Sequence, residues 1–142
     1  MAKTSQRIYQ LYTFTTASTT GTVTGSGTTG IIGGLSEYEY AAVTLQITAV
    51  SGTTTLDAYL DTRLDGTNWG NIAHFPLITG TAQHILALSR TLVANSLIAT
   101  SGADAGAGTV RNIPFGDDLR MRQALSGTSV SISGVWTLTL WN

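Results

Sequence analysis

Apolar and polar residues alternate along several segments of this chain, and this alternation constrains the fold more than any other feature. In Val43–Ala49 the odd-numbered residues are apolar and the even-numbered residues are polar. Leu56, Ala58 and Leu60 alternate with more polar neighbours, and the segment 130–140 keeps one phase throughout. A period of two is typical of a β-strand that has one face on a core. The pattern therefore predicts a strand in each segment.

Three short glycine-containing sequences mark candidate turns between these strands. Asp65-Gly66 lies between two alternating runs, which favours a hairpin because both central residues of the preferred turn need a positive φ. Ser51-Gly52-Thr53 and Ser126-Gly127-Thr128 each follow an alternating run. We interpret these two tripeptides as the turns of two similar hairpins, although the apolar phase around them differs by one residue.

The fold that follows is all-β, with seven or eight strands arranged as an antiparallel β-sandwich or a jelly-roll-like barrel. A chain of 142 residues is long enough for one core. The shared parity of the separate runs predicts the residues of that core, which are Val43, Leu45, Ile47, Leu56, Leu60, Leu119, Met121, Ile132, Trp136 and Leu138.

The chain divides into an extended Gly/Thr-rich arm, residues 1–36, and a β-sandwich domain, residues 37–142. The arm contains a Thr/Gly/Ser tract that buries little apolar surface. Within the domain, residues 101–109 predict a flexible loop. The spacing of apolar residues between 85 and 99 also fits a short helix, so that segment has two interpretations.

Composition excludes several classes of function. Only 11% of the residues are charged and the net charge is −1, so the chain lacks the basic face that binding to nucleic acid or an anionic membrane requires. There is no cysteine, which excludes disulfides, a thiolate nucleophile and cysteine-ligated metal. No apolar stretch reaches the length of a membrane helix, and the first residues lack the apolar region of a signal peptide. We therefore expect a protein that is assembled in the cytoplasm.

The sequence offers no convincing catalytic or cofactor site. Gly25-Ser26-Gly27-Thr28-Thr29-Gly30 matches the glycine pattern of dinucleotide-binding loops, but neither a helix start nor a suitably spaced acid follows. Lys3 is the only lysine, so a phosphate-binding lysine is lacking as well. We expect no cofactor and no enzymatic activity.

Two small groups of titratable residues need a separate interpretation. His74 and His84 flank a segment that would place them opposite each other if it formed a hairpin, but a metal site needs further ligands. Asp57 and Asp61 share one face of a predicted strand, opposite Leu56 and Leu60. We expect two polar histidines at a hairpin rim, and carboxylates on an exposed, ion-paired outer face.

The segments Val43–Trp69 and Leu119–Trp141 consist of an alternating strand, an S-G-T turn and a second alternating strand, and the first ends in D-G-T-N-W. This pattern resembles the small all-β virion proteins of tailed bacteriophages, including head decoration (cement) proteins. The resemblance implies a structural protein on the capsid exterior, an oligomer such as a trimer, and the major capsid protein as partner. It also implies that a terminal arm engages the shell.

A second interpretation comes from the D-G-T-N-W segment alone, which is similar to a hairpin of discoidin-type carbohydrate-binding sandwiches. That resemblance implies a module of a tail or fibre that binds sugars or the host surface, with Trp69 or Trp141 stacking on a sugar ring. The chain departs from that family because it has no cysteine pair.

Apolar residues within a Gly/Thr arm cannot form a core by themselves, so we expect them to contact a partner. The predicted partner-contact residues are Tyr9, Tyr12, Phe14, Ile31 and Ile32. They would insert into a groove of a neighbouring subunit or the shell, or add a strand to its edge.

Overall fold

The computed structural model describes residues 7–15, 21–22, 31–91 and 104–142, and every regular element in these ranges is a β-strand. The strands are β1 (Arg7–Thr15), β2 (Gly21–Thr22), β3 (Ile31–Ile32), β4 (Tyr40–Arg63), β5 (Trp69–His74), β6 (Ala82–Ser89), β7 (Thr109–Val110) and β8 (Asp118–Trp141). All pairings are antiparallel.

Two long strands, β4 and β8, organise the fold because they pair along almost their whole length, from Tyr40 opposite Trp141 to Arg63 opposite Asp118. The first half of β4 and the second half of β8 lie between β6 and β1, which gives a first layer in the order β6-β4-β8-β1. The other halves lie between β5 and the short strands β2 and β3, and β7 extends this second layer beyond β5. The two layers pack together as a β-sandwich, which confirms the predicted fold class.

The S-G-T tripeptides are not hairpin turns, and that prediction is wrong. Both lie inside continuous strands and face each other, with Thr53 opposite Thr128 and Thr55 opposite Ser126. Gly52 and Gly127 have φ values of 76° and 135°, which L side chains rarely adopt. We call this region, residues 48–53 and 126–131, the crease, because the paired strands pass there from one layer to the other.

Bulges at the crease explain why the apolar phase changes along each long strand. The register shifts at Thr48 on β4, and between Ser51 and Thr53 the partner strand contains one residue more than β4. One inserted residue moves all later side chains to the opposite face. Buried positions accordingly change from odd (Val43) to even (Leu60) along β4.

The sandwich core contains every residue that the alternation predicted, each at most 2% exposed: Val43, Leu45, Ile47, Leu56, Leu60, Leu119, Met121, Ile132, Trp136 and Leu138. Trp136 of the first layer meets Phe75, which follows β5, edge to face at 5.5 Å. Its indole Nε1 donates to Gln123 Oε1 of the second layer at 3.5 Å. These contacts join the two layers.

Residues 64–68 connect β4 to β5 as the predicted hairpin, with Gly66 at φ 76°. Residues 85–89 belong to β6 and are therefore extended, whereas residues 92–99 of the alternative helix lie outside the described residues. Of the predicted loop 101–109, residues 104–108 connect to β7, and 101–103 lie outside the described residues.

Strand pairing begins within the predicted arm. β1, β2 and β3 all pair with β8 of the same chain. These segments pair there because β8 offers them a backbone edge along both of its halves. The division into an arm and a domain stays a prediction.

Candidate interaction surface

The outer face of the first layer carries no charged residue among the side chains that the structure describes. These side chains alternate with the buried ones on β6, β4 and β8, and β6 pairs with β4 without a register shift. We call this surface the uncharged face; its residues are Gln83, Ile85, Ala87, Ser89, Tyr40, Ala42, Thr44, Gln46, Val135, Thr137, Thr139 and Trp141.

Ile85, Thr44 and Thr137 form the central row of the uncharged face, because Thr44 pairs with both of the others. Ile85 is 67% exposed, more than any other large hydrophobic residue in the described part of the chain. At one end of the face, Tyr40 lies opposite Trp141, and their rings stack at a centroid distance of 5.9 Å and an angle of 17°. The face therefore offers neutral hydroxyls, methyl groups and aromatic rings.

The outer face of the second layer is the opposite in character, and we call it the charged face. Its side chains form three cross-strand rows over β5, β4 and β8, as the registers show. The rows are Trp69–Arg63–Asp118, Asn71–Asp61–Arg120 and His74–Tyr59–Arg122. The charged groups in these rows are paired with one another or with neighbouring carboxylates, so the charged face presents a largely neutralised lattice.

Asp61 is the centre of this lattice. Its Oδ2 accepts from Arg120 Nη2 at 2.7 Å and from Arg122 Nε at 2.6 Å, and its Oδ1 accepts from Asn71 Nδ2 at 3.0 Å. Burial alone would raise the pKa of Asp61, but the hydrogen bonds from Arg122, Asn71 and Arg120 outweigh burial and lower the pKa below its ordinary value. The prediction of ion pairing is confirmed.

The prediction that Asp61 is exposed is wrong, because only 1% of the residue is accessible. The neighbouring guanidinium groups cover its carboxylate, and Asp104 reaches Arg122 from the loop before β7 at 2.6 Å. The same carboxylates raise the pKa of Arg122, mainly through its hydrogen bonds to Asp61.

Aromatic rings fill the space between the cations of the charged face. The guanidinium carbons of Arg63 and Arg120 lie 4.9 and 4.4 Å from the ring centre of Trp69. Arg122 lies 4.7 Å from the ring centre of Tyr59. Burial, followed by the negative charges of Asp57 and Asp104, raises the pKa of the Tyr59 hydroxyl. Trp69 is thus part of a cation–π cluster.

The two histidines lie in different layers, so the prediction that they face each other across a hairpin is wrong. His84 is in β6 opposite Leu45, whereas His74 ends β5 opposite Tyr59. The reason is that residues 75–81 do not form a tight turn, since Ile78 makes an isolated bridge to Leu56.

His74 is buried and anchors the loop before β7. Its Nδ1 donates to the Ala105 carbonyl oxygen at 2.8 Å, and its Nε2 lies 2.7 Å from Asp57 Oδ1. Within the part of the chain that the structure describes, no group of three or more His, Asp or Glu residues could hold a metal ion.

The hairpin loop contains a further carboxylate with a strongly altered pKa. Asp65 Oδ1 accepts from the backbone N–H groups of Asn68 at 2.7 Å and Thr67 at 2.8 Å, and Oδ2 accepts from the Asn68 amide. These hydrogen bonds, that from the Asn68 backbone first, lower the pKa of Asp65 to about 2. The carboxylate closes the turn.

The predicted partner-contact residues all lie opposite β8. Tyr9 pairs with Leu138, Tyr12 with Trp136 and Phe14 with Gly134. Ile31 and Ile32 pair with Arg120 and Leu119, and Ile32 is partly buried against the core of its own chain. Their contacts with a second molecule stay a prediction.

Sequence reasoning missed the uncharged face, although a signal for it exists. The polar positions between 40 and 48, and those between 131 and 141, are occupied by uncharged residues throughout. The described part of the chain also contains no helix long and apolar enough to cross a membrane. Comparison of the chain with protein-family models, curated proteins and solved structures found no match.

Proposed function

We propose that the protein is a structural accessory protein of a bacteriophage virion, which binds the exterior of the head as a homo-oligomer and stabilises the shell. The uncharged face is the observation that carries this proposal. Burying charged groups in an interface costs desolvation energy, whereas methyl and aromatic groups can be buried without that cost and hydroxyl groups at a smaller one. The face is suited to dry contact with another protein.

The size of the uncharged face favours an oligomer over a single bound copy. Three strands spaced by ~4.8 Å, each about eight residues long at ~3.4 Å per residue, give a face of ~400 Å². A stable interface usually buries about 800 Å² on each partner. One copy would therefore bind weakly, and linked copies would gain the affinity of several contacts.

Strand β1 of the arm extends the same layer and supports a role in assembly. Among the described residues, β1 pairs with β8 alone, so its other edge can accept a strand or a side chain from a neighbour. In this proposal Tyr9, Tyr12, Phe14, Ile31 and Ile32 form the contacts between subunits or with the major capsid protein. Assembly takes place in the host cytoplasm.

The charged face supports a structural role over a catalytic one. Its carboxylates and its histidine are bound to one another, to arginines or to backbone groups, as the short contacts of Asp61 and His74 illustrate. A catalytic acid or base needs to reach a substrate proton. We therefore propose that the protein is not an enzyme.

Substitution of one residue of the uncharged face by a charged residue tests the proposed binding to the head. Ile85→Lys should leave folding intact, because Ile85 is 67% exposed, yet it should weaken binding to undecorated phage heads at least tenfold. Leu64→Lys is the matched control, since Leu64 is 48% exposed in the β4–β5 hairpin loop. Co-sedimentation with heads measures binding, and light scattering measures the mass of the free protein. Equal binding by wild type and Ile85→Lys would contradict the proposal.

A further inference from the structure

An open groove of about 460 Å³ lies where the uncharged face meets the segment that follows β7. The sheet supplies one side of the groove with Tyr40, Ala87, Leu88, Ser89 and Trp141, and Thr91 follows β6. The other side consists of residues 110–113. Sites for small ligands usually have volumes of about 300–1,000 Å³, so the groove has a suitable size.

The aromatic pair gives the groove a flat apolar platform. Tyr40 is 38% exposed and stacks on Trp141 with the ring planes only 17° apart. Both side chains combine an apolar ring with a polar tip, the hydroxyl of Tyr40 and the indole N–H of Trp141. A pyranose ring is complementary to such a platform, since one of its faces presents C–H groups and its rim presents hydroxyls.

Polar residues also line the groove. Ser89 and Thr91 contribute hydroxyls, and the Ser89 hydroxyl already accepts from the Thr91 backbone N–H at 3.0 Å. Asn112 contributes an amide and Arg111 a guanidinium, which donates to the Asn71 carbonyl oxygen at 3.3 Å. The described residues of the lining include no carboxylate, so they fit a neutral or acidic sugar better than a cation.

The other two tryptophans do not offer a comparable platform. Trp136 is fully buried in the core. Trp69 is covered by two guanidinium groups at 4.9 and 4.4 Å. Of the two tryptophans that the sequence suggested for sugar stacking, only Trp141 therefore lies in a groove.

We propose that this groove is a saccharide-binding site, in which the outer ring face of the stacked Tyr40–Trp141 pair contacts a pyranose ring that is neutral or carries a carboxylate. Ser89, Thr91, Arg111 and Asn112 supply the hydrogen bonds around the ring. The groove shares Tyr40, Ala87, Ser89 and Trp141 with the uncharged face, but saccharide affinity and head binding are measured separately, so failure of one proposal is distinguishable from failure of the other.

The experiment is a glycan array with the full chain, followed by titration calorimetry on the strongest neutral and acidic saccharides. Trp141→Ala should reduce affinity at least tenfold, whereas Trp141→Phe, which keeps an aromatic face, should lose less than Trp141→Ala. Trp69→Ala is the matched control, since it removes a tryptophan from the charged face, and its affinity should stay within about twofold of wild type.

A second variant tests the groove without removing any packing. Ala87 is exposed within the groove, so Ala87→Trp should fill the space and abolish saccharide binding while the circular dichroism spectrum stays native. Absence of binding to every neutral and acidic saccharide would overturn the proposal. It would also be overturned if Trp141→Ala bound as well as wild type, or if it changed only the oligomeric mass, which would assign the groove to a second protein copy.

Discussion

At the scale of single residues, Asp61 shows how a charge is accommodated on the outside of a sheet. Its side chain is 2% exposed, whereas those of Arg120 and Arg122 are 23% and 25% exposed. The cations therefore lie between the carboxylate and water. Because each of its oxygens accepts hydrogen bonds from neighbouring side chains, removing the negative charge would leave two guanidinium groups without their main partner.

Asp61→Asn should lower the free energy of unfolding by about 3 kcal/mol, because it removes the carboxylate that two partly buried guanidinium groups share. Asp104→Asn is the matched control: Asp104 pairs with the same Arg122, but its side chain is 37% exposed, and its loss should cost at most about 1 kcal/mol. Urea denaturation of the three proteins measures both values. Equal losses for the two variants would show that burial does not determine the contribution of these ion pairs.

The sequence allowed part of this site to be predicted. Strand parity placed Asp57 and Asp61 opposite Leu56 and Leu60, and Arg63 near them on the same strand favoured an ion-paired face. Burial of Asp61 was not predictable in this way, because its partners Arg120 and Arg122 are 59 and 61 residues away in sequence. Predicting the burial of Asp61 requires knowing that β4 pairs with β8. The alternation of apolar and polar residues along β4 does not specify which strand lies beside it.

At the scale of elements, residues 111–117 connect β7 to β8 and join the two layers; we call this segment the strap. Phe115 is 1% exposed and its N–H donates to the Ser89 carbonyl oxygen of β6 at 3.3 Å. The Gly116 N–H donates to Thr62 Oγ1 of β4 at 2.6 Å. Arg90 Nη2 in turn donates to the Gly116 carbonyl oxygen at 3.1 Å. The strap thus binds both β6 and the second half of β4.

Gly116→Ala should destabilise the protein by at least ~2 kcal/mol, because an added Cβ would overlap the backbone carbonyl of Arg63, which cannot move without disturbing β4. Gly80→Ala is the control, since nothing lies within 4 Å of its added Cβ and its φ is not positive. That variant should be neutral or slightly stabilising. Thermal unfolding followed by circular dichroism gives the comparison, and similar melting temperatures for the two variants would contradict the close approach.

Prediction of strands and turns from the sequence succeeded where apolar and polar residues alternate in one constant phase. It failed where the phase of this alternation changes within a strand. The hairpin at Asp65-Gly66 and the core positions followed from local pattern alone. Ser51-Gly52-Thr53 has the composition of a turn, but in the structure the positive φ of Gly52 allows a bend within β4. The one-residue change of phase, visible in the sequence, is the physical mark of a bulge.

At the scale of the whole molecule, the two outer faces separate neutral from charged chemistry. The uncharged face can be buried at little cost in desolvation, whereas the charged face stabilises the sandwich through its own internal contacts. Because Asp61, at the centre of those contacts, has a lowered pKa, the stability of the whole molecule should fall at acid pH.

Stability should stay nearly constant from neutral pH to about pH 5 and fall steeply between about pH 4 and pH 2. The pKa values of Asp61 and Asp65 are lowered from 3.8 in the folded state, for Asp65 to about 2. A lowered folded-state pKa contributes stability above the unfolded pKa, and this contribution is lost as the pH falls through the folded pKa. Urea midpoints measured from pH 7 to pH 2 test the trend, and Asp61→Asn should show a shallower fall. Increasing stability on acidification would contradict it.

The crease lets the same two strands serve both layers, and this continuity has a kinetic consequence. The contact between Arg63 and Asp118 closes a separation of 55 residues, whereas the contact between Glu39 and Asn142 at the other end spans 103 residues. Closing the shorter loop costs less chain entropy, so we expect pairing to nucleate beside the strap and to propagate through the crease towards the termini. The uncharged face would then be the last surface to form. A chain that folds in this order completes its charged face before its uncharged face. Association with other molecules through the uncharged face, as proposed above, would then be limited until folding is nearly complete.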